Sequence, residues 1–164
     1  MTLRSGTQIP NWPFTSPTGE TVAMEDFRHR CNLVVALLGA ADQPTVAPML
    51  DALAARAGDL AFEDATALAV MQGSAGTAAA LAGRVPAEAA DRLLVVADTA
   101  GLLQDEPPTL YVVDRYGQIY AVQPLPTGPV DAETAAHAVE EAVGWLRFVN
   151  LQCPECGVPE WPTA

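Results

Sequence analysis

A chain of 164 residues with 20 acidic and 8 basic side chains carries a formal charge of −12, which makes nucleic-acid phosphates and anionic membrane surfaces repulsive partners. All eight cations are arginine, and without lysine both Schiff-base catalysis and the P-loop lysine are excluded. No apolar run approaches the roughly 20 residues that a membrane-spanning helix needs. The opening Met1-Thr2-Leu3-Arg4-Ser5-Gly6 lacks the apolar core and cleavage site of a secretory signal. The three cysteines, Cys31, Cys153 and Cys156, are an odd number and match a reducing compartment better than a disulfide framework. A cytoplasmic protein is expected, with one domain over residues 1–150 and a C-terminal tail over 151–164.

The first segment, to about Arg30, is punctuated by Gly6, Pro10, Pro13, Pro17 and Gly19 and reads as a hairpin-like lead-in with short apolar pieces at Trp12 to Phe14 and Thr21 to Ala23. Asn32 to Leu38 is a continuous apolar run ending at Gly39, the signature of a strand buried on both faces. After the loop Ala40 to Pro44, Thr45 stands where a helix N-cap would, Pro48 falls in the first turn, and Gly58 is expected to close that helix. Thr66 to Gln72 is a second buried strand, and Ser74 caps an alanine-rich helix that stops near Gly83. Leu93 to Ala97 is a third strand. Thr109 to Val113, the turn Asp114-Arg115-Tyr116-Gly117, and Ile119 to Gln123 form an antiparallel hairpin. Beyond the connector Pro124 to Pro129, Asp131 starts a helix whose Ala132, Ala135, Ala136, Val139, Val143, Leu146 and Val149 recur at spacings of three and four. Strands alternating with helices in this way predict an α/β three-layer sandwich, with a mixed sheet of parallel strands and an antiparallel hairpin at one side.

Three stretches resemble the redoxin branch of thioredoxin-fold proteins, which holds peroxiredoxins of the alkyl hydroperoxide reductase and thiol-specific antioxidant type as well as thiol-disulfide oxidoreductases. The lead-in Gly6-Thr7-Gln8-Ile9-Pro10-Asn11-Trp12-Pro13-Phe14, with Gly19-Glu20-Thr21-Val22 and Asp26-Phe27-Arg28, is similar to that family's opening. Pro107-Pro108-Thr109-Leu110-Tyr111-Val112-Val113-Asp114-Arg115-Tyr116-Gly117-Gln118-Ile119 resembles its proline-threonine strand, aspartate-glycine turn and following strand. The resemblance implies a thioredoxin-like fold and a cis Pro107-Pro108 bond, with Pro108 facing the active-site loop. It also puts the nucleophilic thiol just after the first buried strand, at a helix entrance whose dipole favours thiolate. Here that place reads Gly39-Ala40-Ala41-Asp42-Gln43-Pro44-Thr45-Val46-Ala47-Pro48. A Cys-x-x-Cys aligned to it puts Gln43 and Val46 at its ends; a Thr-x-x-Cys keeps Thr45 and puts Pro48 in place of sulfur. Neither alignment supplies a nucleophile, and Thr45 has no activating base in the loop.

Cys153-Pro154-Glu155-Cys156-Gly157 has two chemical readings. As a redox pair it follows the last helix, where the negative end of the dipole and Glu155 and Glu160 disfavour a resting thiolate. As a knuckle similar to half of a zinc ribbon or rubredoxin site, it supplies two of four tetrahedral ligands to zinc or iron, and a symmetric dimer would supply the rest. Ordinary structural thiols are the bland third reading. Cys31 reads as a small buried residue at a strand start, His29 and His137 as surface groups, and Trp12, Trp145 and Trp161 as packing residues. Three functions follow: a redoxin-like protein without the usual peroxidatic or Cys-x-x-Cys site, acting in binding, regulation or assembly on a protein partner or itself; a thiol oxidoreductase or peroxidase using Cys153 and Cys156 folded back to the Asp42–Thr45 loop; and a metal-linked homodimer.

Overall fold

Both faces of the Asn32–Ala40 run are apolar, and both are covered. In the computed structural model, which describes residues 3–151, this run is an interior strand of a seven-stranded sheet. In chain order the elements are β1 (Pro13–Thr15), β2 (Thr21–Ala23), β3 (Asn32–Ala40), α1 (Val46–Ala55), α2 (Ala57–Phe62), β4 (Ala65–Gln72), α3 (Ala75–Ala82), β5 (Leu93–Asp98), β6 (Thr109–Val113), β7 (Ile119–Pro124) and α4 (Ala132–Leu151). The strand order is β2-β1-β5-β4-β3-β6-β7. β3, β4 and β5 are parallel, the hairpin β6–β7 joins β3 antiparallel, and the lead-in hairpin β1–β2 joins β5.

One face of the sheet carries Val34, Ala36 and Leu38 of β3 against Met49, Leu50 and Leu53 of α1 and Val139, Ala142 and Leu146 of α4. The other carries Leu33, Val35 and Leu37 against Ile9, Phe14, Met24 and Leu103. The layers are therefore helices, sheet, and a cover made by the N-terminal segment and the turn around Leu103. Each fully buried Leu, Met or Phe in these clusters contributes roughly 1.5–3 kcal/mol of transfer free energy, so the two faces jointly hold β3 in the interior.

Helix boundaries follow local chemistry. Ser74 caps α3: its hydroxyl accepts the Thr77 amide at 3.2 Å. Asp131 starts α4 by accepting the Thr134 amide at 2.7 Å. Two expectations need correction. The segment after β3 is two helices rather than one, because the backbone at Arg56 leaves helical geometry (φ −103, ψ 14); Gly58 lies inside α2, which turns Ala57 and Leu60 into the core. In α4, Ala132 and Ala136 face solvent while Ala142 is buried, because the phase of the helix is fixed by the larger Val139, Val143, Leu146 and Val149. No helix among the described residues is long and apolar enough to cross a membrane.

Candidate functional site

Parallel strands end at one edge of a sheet, and in α/β folds ligand sites lie outside those carboxyl ends. Here Ala40, Gln72 and Asp98 mark that edge, paired across β3, β4 and β5. β3 is bulged between Leu37 and Ala40, and Gly39 adopts φ +78, a left-handed conformation open at little cost only to glycine. The chain then turns through Asp42 and Gln43: the Gln43 amide donates to Ala40 O at 2.9 Å and the Val46 amide to Gln43 O at 3.1 Å. Asp42, Gln43 and Pro44 are exposed, and Thr45 and Val46 are buried.

Thr45 occupies the position before α1 but does not cap it. Its backbone is already helical (φ −73, ψ −28) and its side chain makes no cap bond; the hydroxyl donates to Gly128 O at 3.2 Å instead, tying the β7–α4 connector to the turn. Pro108 lies at the same edge, one residue before Thr109, which pairs with Leu37 of β3. The expected cis bond at Pro107-Pro108 is not found: there is no cis peptide among the described residues. The extended chain here is held by its carbonyls, Pro107 O accepting the Thr109 hydroxyl at 2.9 Å and Pro108 O the Leu125 amide at 2.8 Å. Beside Pro48, an open groove of about 340 Å³ runs between the first turns of α1 and α4, lined by Ala47, Pro48, Asp51, Ala52, Ala132 and Ala136. These small side chains leave room but bring one titratable group, Asp51. Behind the bulge, a cavity of about 10 Å³ bounded by Gly39, Gln72, Asp98 and Glu106 is about the size of one water.

Three arginines find their partners at the opposite edge. Arg92, Arg115 and Arg147 bond Ala65 O, Asp64 and Glu63, three consecutive residues at the start of β4. Glu63 is 5% exposed and its carboxylate also accepts from the Asn150 amide at 2.9 Å. Asn150 in turn accepts from Asn32 at 2.9 Å. This knot, which pins the end of α4 to the first residue of β3, is invisible in the sequence, because Asn32 reads as the start of an apolar strand and its partner lies 118 positions away. Near it, in the β6–β7 turn, burial pushes the Asp114 carboxyl above its usual range, although amides of Tyr116 and Gln118 bond it. At the site edge, hydrogen bonds from Thr134 hold the exposed Asp131 carboxyl below the usual range.

Of the cysteines, Cys31 is described; it is half-buried and free, with Sγ 3.7 Å from the Thr66 hydroxyl. It precedes β3, so about 26 Å of strand separates it from the Asp42–Thr45 turn. Cys153, Cys156 and Trp161 lie outside the described residues. No cluster of three or more potential metal ligands occurs among the described residues. His29 is exposed at the far edge, with φ +63 and its ring edge-on to Tyr116 at 5.6 Å; His137 is exposed on α4. Neither approaches the turn in sequence or bonding. Trp12 packs on Phe14 and Tyr111, as a packing residue should.

No family model and no curated protein matches the chain. Solved structures do. Peroxidoxin BcpB from Mycobacterium tuberculosis superposes with a TM-score of 0.73 at 14% identity, covering 90% of this chain and 99% of that one. Reduced Prx3 from Vibrio vulnificus, in complex with hydrogen peroxide, gives 0.67 at 18% over 84% and 99%. The fold is thioredoxin-like, of the peroxiredoxin type. A putative thiol:disulfide interchange protein DsbE from Chlorobium tepidum shares it at a TM-score of 0.63, with 19% identity over 88% and 99%. The redoxin resemblance in the lead-in and in the Pro108–Ile119 stretch therefore reports a real architecture. At these identities it is the fold that is shared, and the β3–α1 turn of this redoxin fold must be judged on its own residues.

Proposed function

We propose that this chain is a redoxin-fold protein whose β3–α1 turn performs no thiol chemistry and which acts in binding, regulation or assembly, in a compartment that keeps its thiols reduced. The observation that carries this reading is the turn itself: the chain from Gly39 to Pro48, which joins β3 to α1, contains no cysteine, and Cys31 is at the other end of β3. Peroxide or disulfide attack needs a thiolate, favoured by nearby positive charge, and the arginine ion pairs described above lie at the far edge. Thr45 offers no substitute, since its hydroxyl is committed to Gly128 O.

Chain geometry weighs against an enzyme built from Cys153 and Cys156 folded onto the turn of the same molecule. Asn150 is hydrogen-bonded to Asn32, at the start of β3. Cys156 follows six positions later, and at no more than about 3.6 Å per residue it reaches about 22 Å. The turn lies beyond the roughly 26 Å length of β3. The test is steady-state consumption of hydrogen peroxide and of a model disulfide by the native chain and by the Cys153→Ser, Cys156→Ser double variant. Background rates in both are expected; turnover in the native chain would overturn the reading, and its loss in the double variant would assign it to the pair.

A further inference from the structure

The groove beside Pro48 has an apolar floor and an acidic rim. Ala47, Pro48 and Ala52 of α1 face Ala132 and Ala136 of α4 across about 340 Å³, near the lower end of the volumes that ligand pockets occupy. Asp51 stands in the same lining, and Glu133, three residues before Ala136, shares that residue's side of α4. Both carboxylates are exposed, and among the described residues neither makes an ion pair. Further along the same two helices the chain itself shows what such a rim holds: Arg56, just past α1, reaches Glu140 of α4 at 3.6 Å.

No cation of this chain serves the groove in the same way. The segments that meet at the carboxyl edge of the sheet, residues 39–55, 98–109 and 124–136, include Asp42, Asp51, Asp105, Asp131 and Glu133 but no arginine, and the sequence has no lysine. Arg92, Arg115 and Arg147 are bonded at the opposite edge. The dipoles of α1 and α4, which both begin here, supply about half a positive charge each and leave the edge acidic. A second copy is a poor source of cations, because a lysine-free chain of formal charge −12 is repelled by its own kind. A lysine or arginine from another protein matches both features of the groove, since its alkyl stem lies along apolar surface while its head stays in water. We propose that the α1–α4 groove docks a basic segment of a protein partner, with the stems on the alanine floor and the charged heads at Asp51 and Glu133. The proposal rests on the binding role above and names the partner's chemistry.

The test is amide NMR of the full chain titrated with a short capped peptide of lysine, leucine and alanine, and with the same peptide carrying glutamate in place of lysine. The basic peptide should shift the amides of Ala47, Asp51, Ala52, Ala132 and Ala136 saturably, and the acidic one should leave them unmoved. Asp51→Asn with Glu133→Gln should weaken binding roughly threefold to tenfold, the effect of losing two exposed ion pairs. Ala136→Leu, which fills the groove without changing charge, should weaken it by at least as much. If that variant fails to fold by circular dichroism, Ala132→Leu, at another exposed position, serves in its place. No shift at the groove, an equal response to the acidic peptide, or binding indifferent to either change would overturn the proposal. Such a failure would leave the sulfur-free turn untouched, and peroxide turnover by the native chain would overturn the reading of the turn while leaving the measured docking as it stands.

Discussion

Replacing Asn32 by leucine tests the polar knot that fixes α4 to the sheet. Asn32 is 1% exposed; it donates to Glu63 O at 3.2 Å and Asn150 Oδ1 at 2.9 Å, and accepts the Arg115 amide at 3.0 Å. Leucine has similar volume, so the cost is polar rather than steric. Glu63 O keeps the Asn150 amide at 2.8 Å, which leaves two groups, Asn150 Oδ1 and the Arg115 N–H, without their partner. At about 1–3 kcal/mol for each stranded group, and nearer the lower end where water has access, the loss is about 2–4 kcal/mol. For a chain of this size that lowers Tm by on the order of 10 °C. Urea unfolding followed by circular dichroism measures the first quantity, and hydrogen exchange should show the last turn of α4 losing protection. Asn32→Asp keeps the acceptor for Arg115 but sets a carboxylate beside Glu63 and Asn150 Oδ1, and should be worse. A loss below about 1 kcal/mol for Asn32→Leu would refute the reasoning.

Three further outcomes are expected. Ser74→Ala should cost about 1 kcal/mol by removing a working cap, while Thr45→Val should leave α1 helicity unchanged and loosen the connector at Gly128, a contrast that hydrogen exchange of the two helices can read. Asp114 has a raised pKa in the folded state, so its protonated form favours folding; that contribution is complete below the unfolded value of 3.8 and is lost as pH rises through the folded value. Both amide bonds go to Oδ1, which asparagine retains, so Asp114→Asn should raise Tm at pH 7 and flatten its dependence on pH just above 3.8; a lower Tm at pH 7 would contradict the burial account. Gly39→Ala meets no clash, since the nearest side-chain atom to a new Cβ is Gln43 Cγ at 3.7 Å, so any destabilisation, about 1–2 kcal/mol, comes from forcing φ +78 on an L residue.

What could be read before the structure follows from periodicity. The buried strands, the β6–β7 hairpin and α4 declare themselves because their apolar residues recur at the spacings that burial demands. Composition points to a single helix ending at Gly58, but glycine tolerates a helix interior, and the break falls at the backbone of Arg56, which carries no sequence mark. Similarly, Thr45 has the right residue type for a cap, but its hydroxyl answers to Gly128, 83 residues away. The Pro107-Pro108 bond shows the same limit, since a family pattern gives the place of a proline and not its isomer. At the site, the absence of sulfur between Gly39 and Pro48 is plain in the sequence. The knot of arginines, carboxylates and amides at the opposite edge is not, because it depends on which strand ends meet.

The central claim, that this chain holds no peroxide-reactive nucleophile at the β3–α1 turn or on its three thiols, is tested most directly by giving the fully reduced chain one equivalent of hydrogen peroxide and locating oxidised residues by peptide mass spectrometry over time. The account predicts that Cys31, Cys153 and Cys156 oxidise no faster than a free cysteine in solution, with the Gly39–Pro48 peptide unchanged. Rapid and selective oxidation of one thiol, or any covalent change within that peptide, would contradict it.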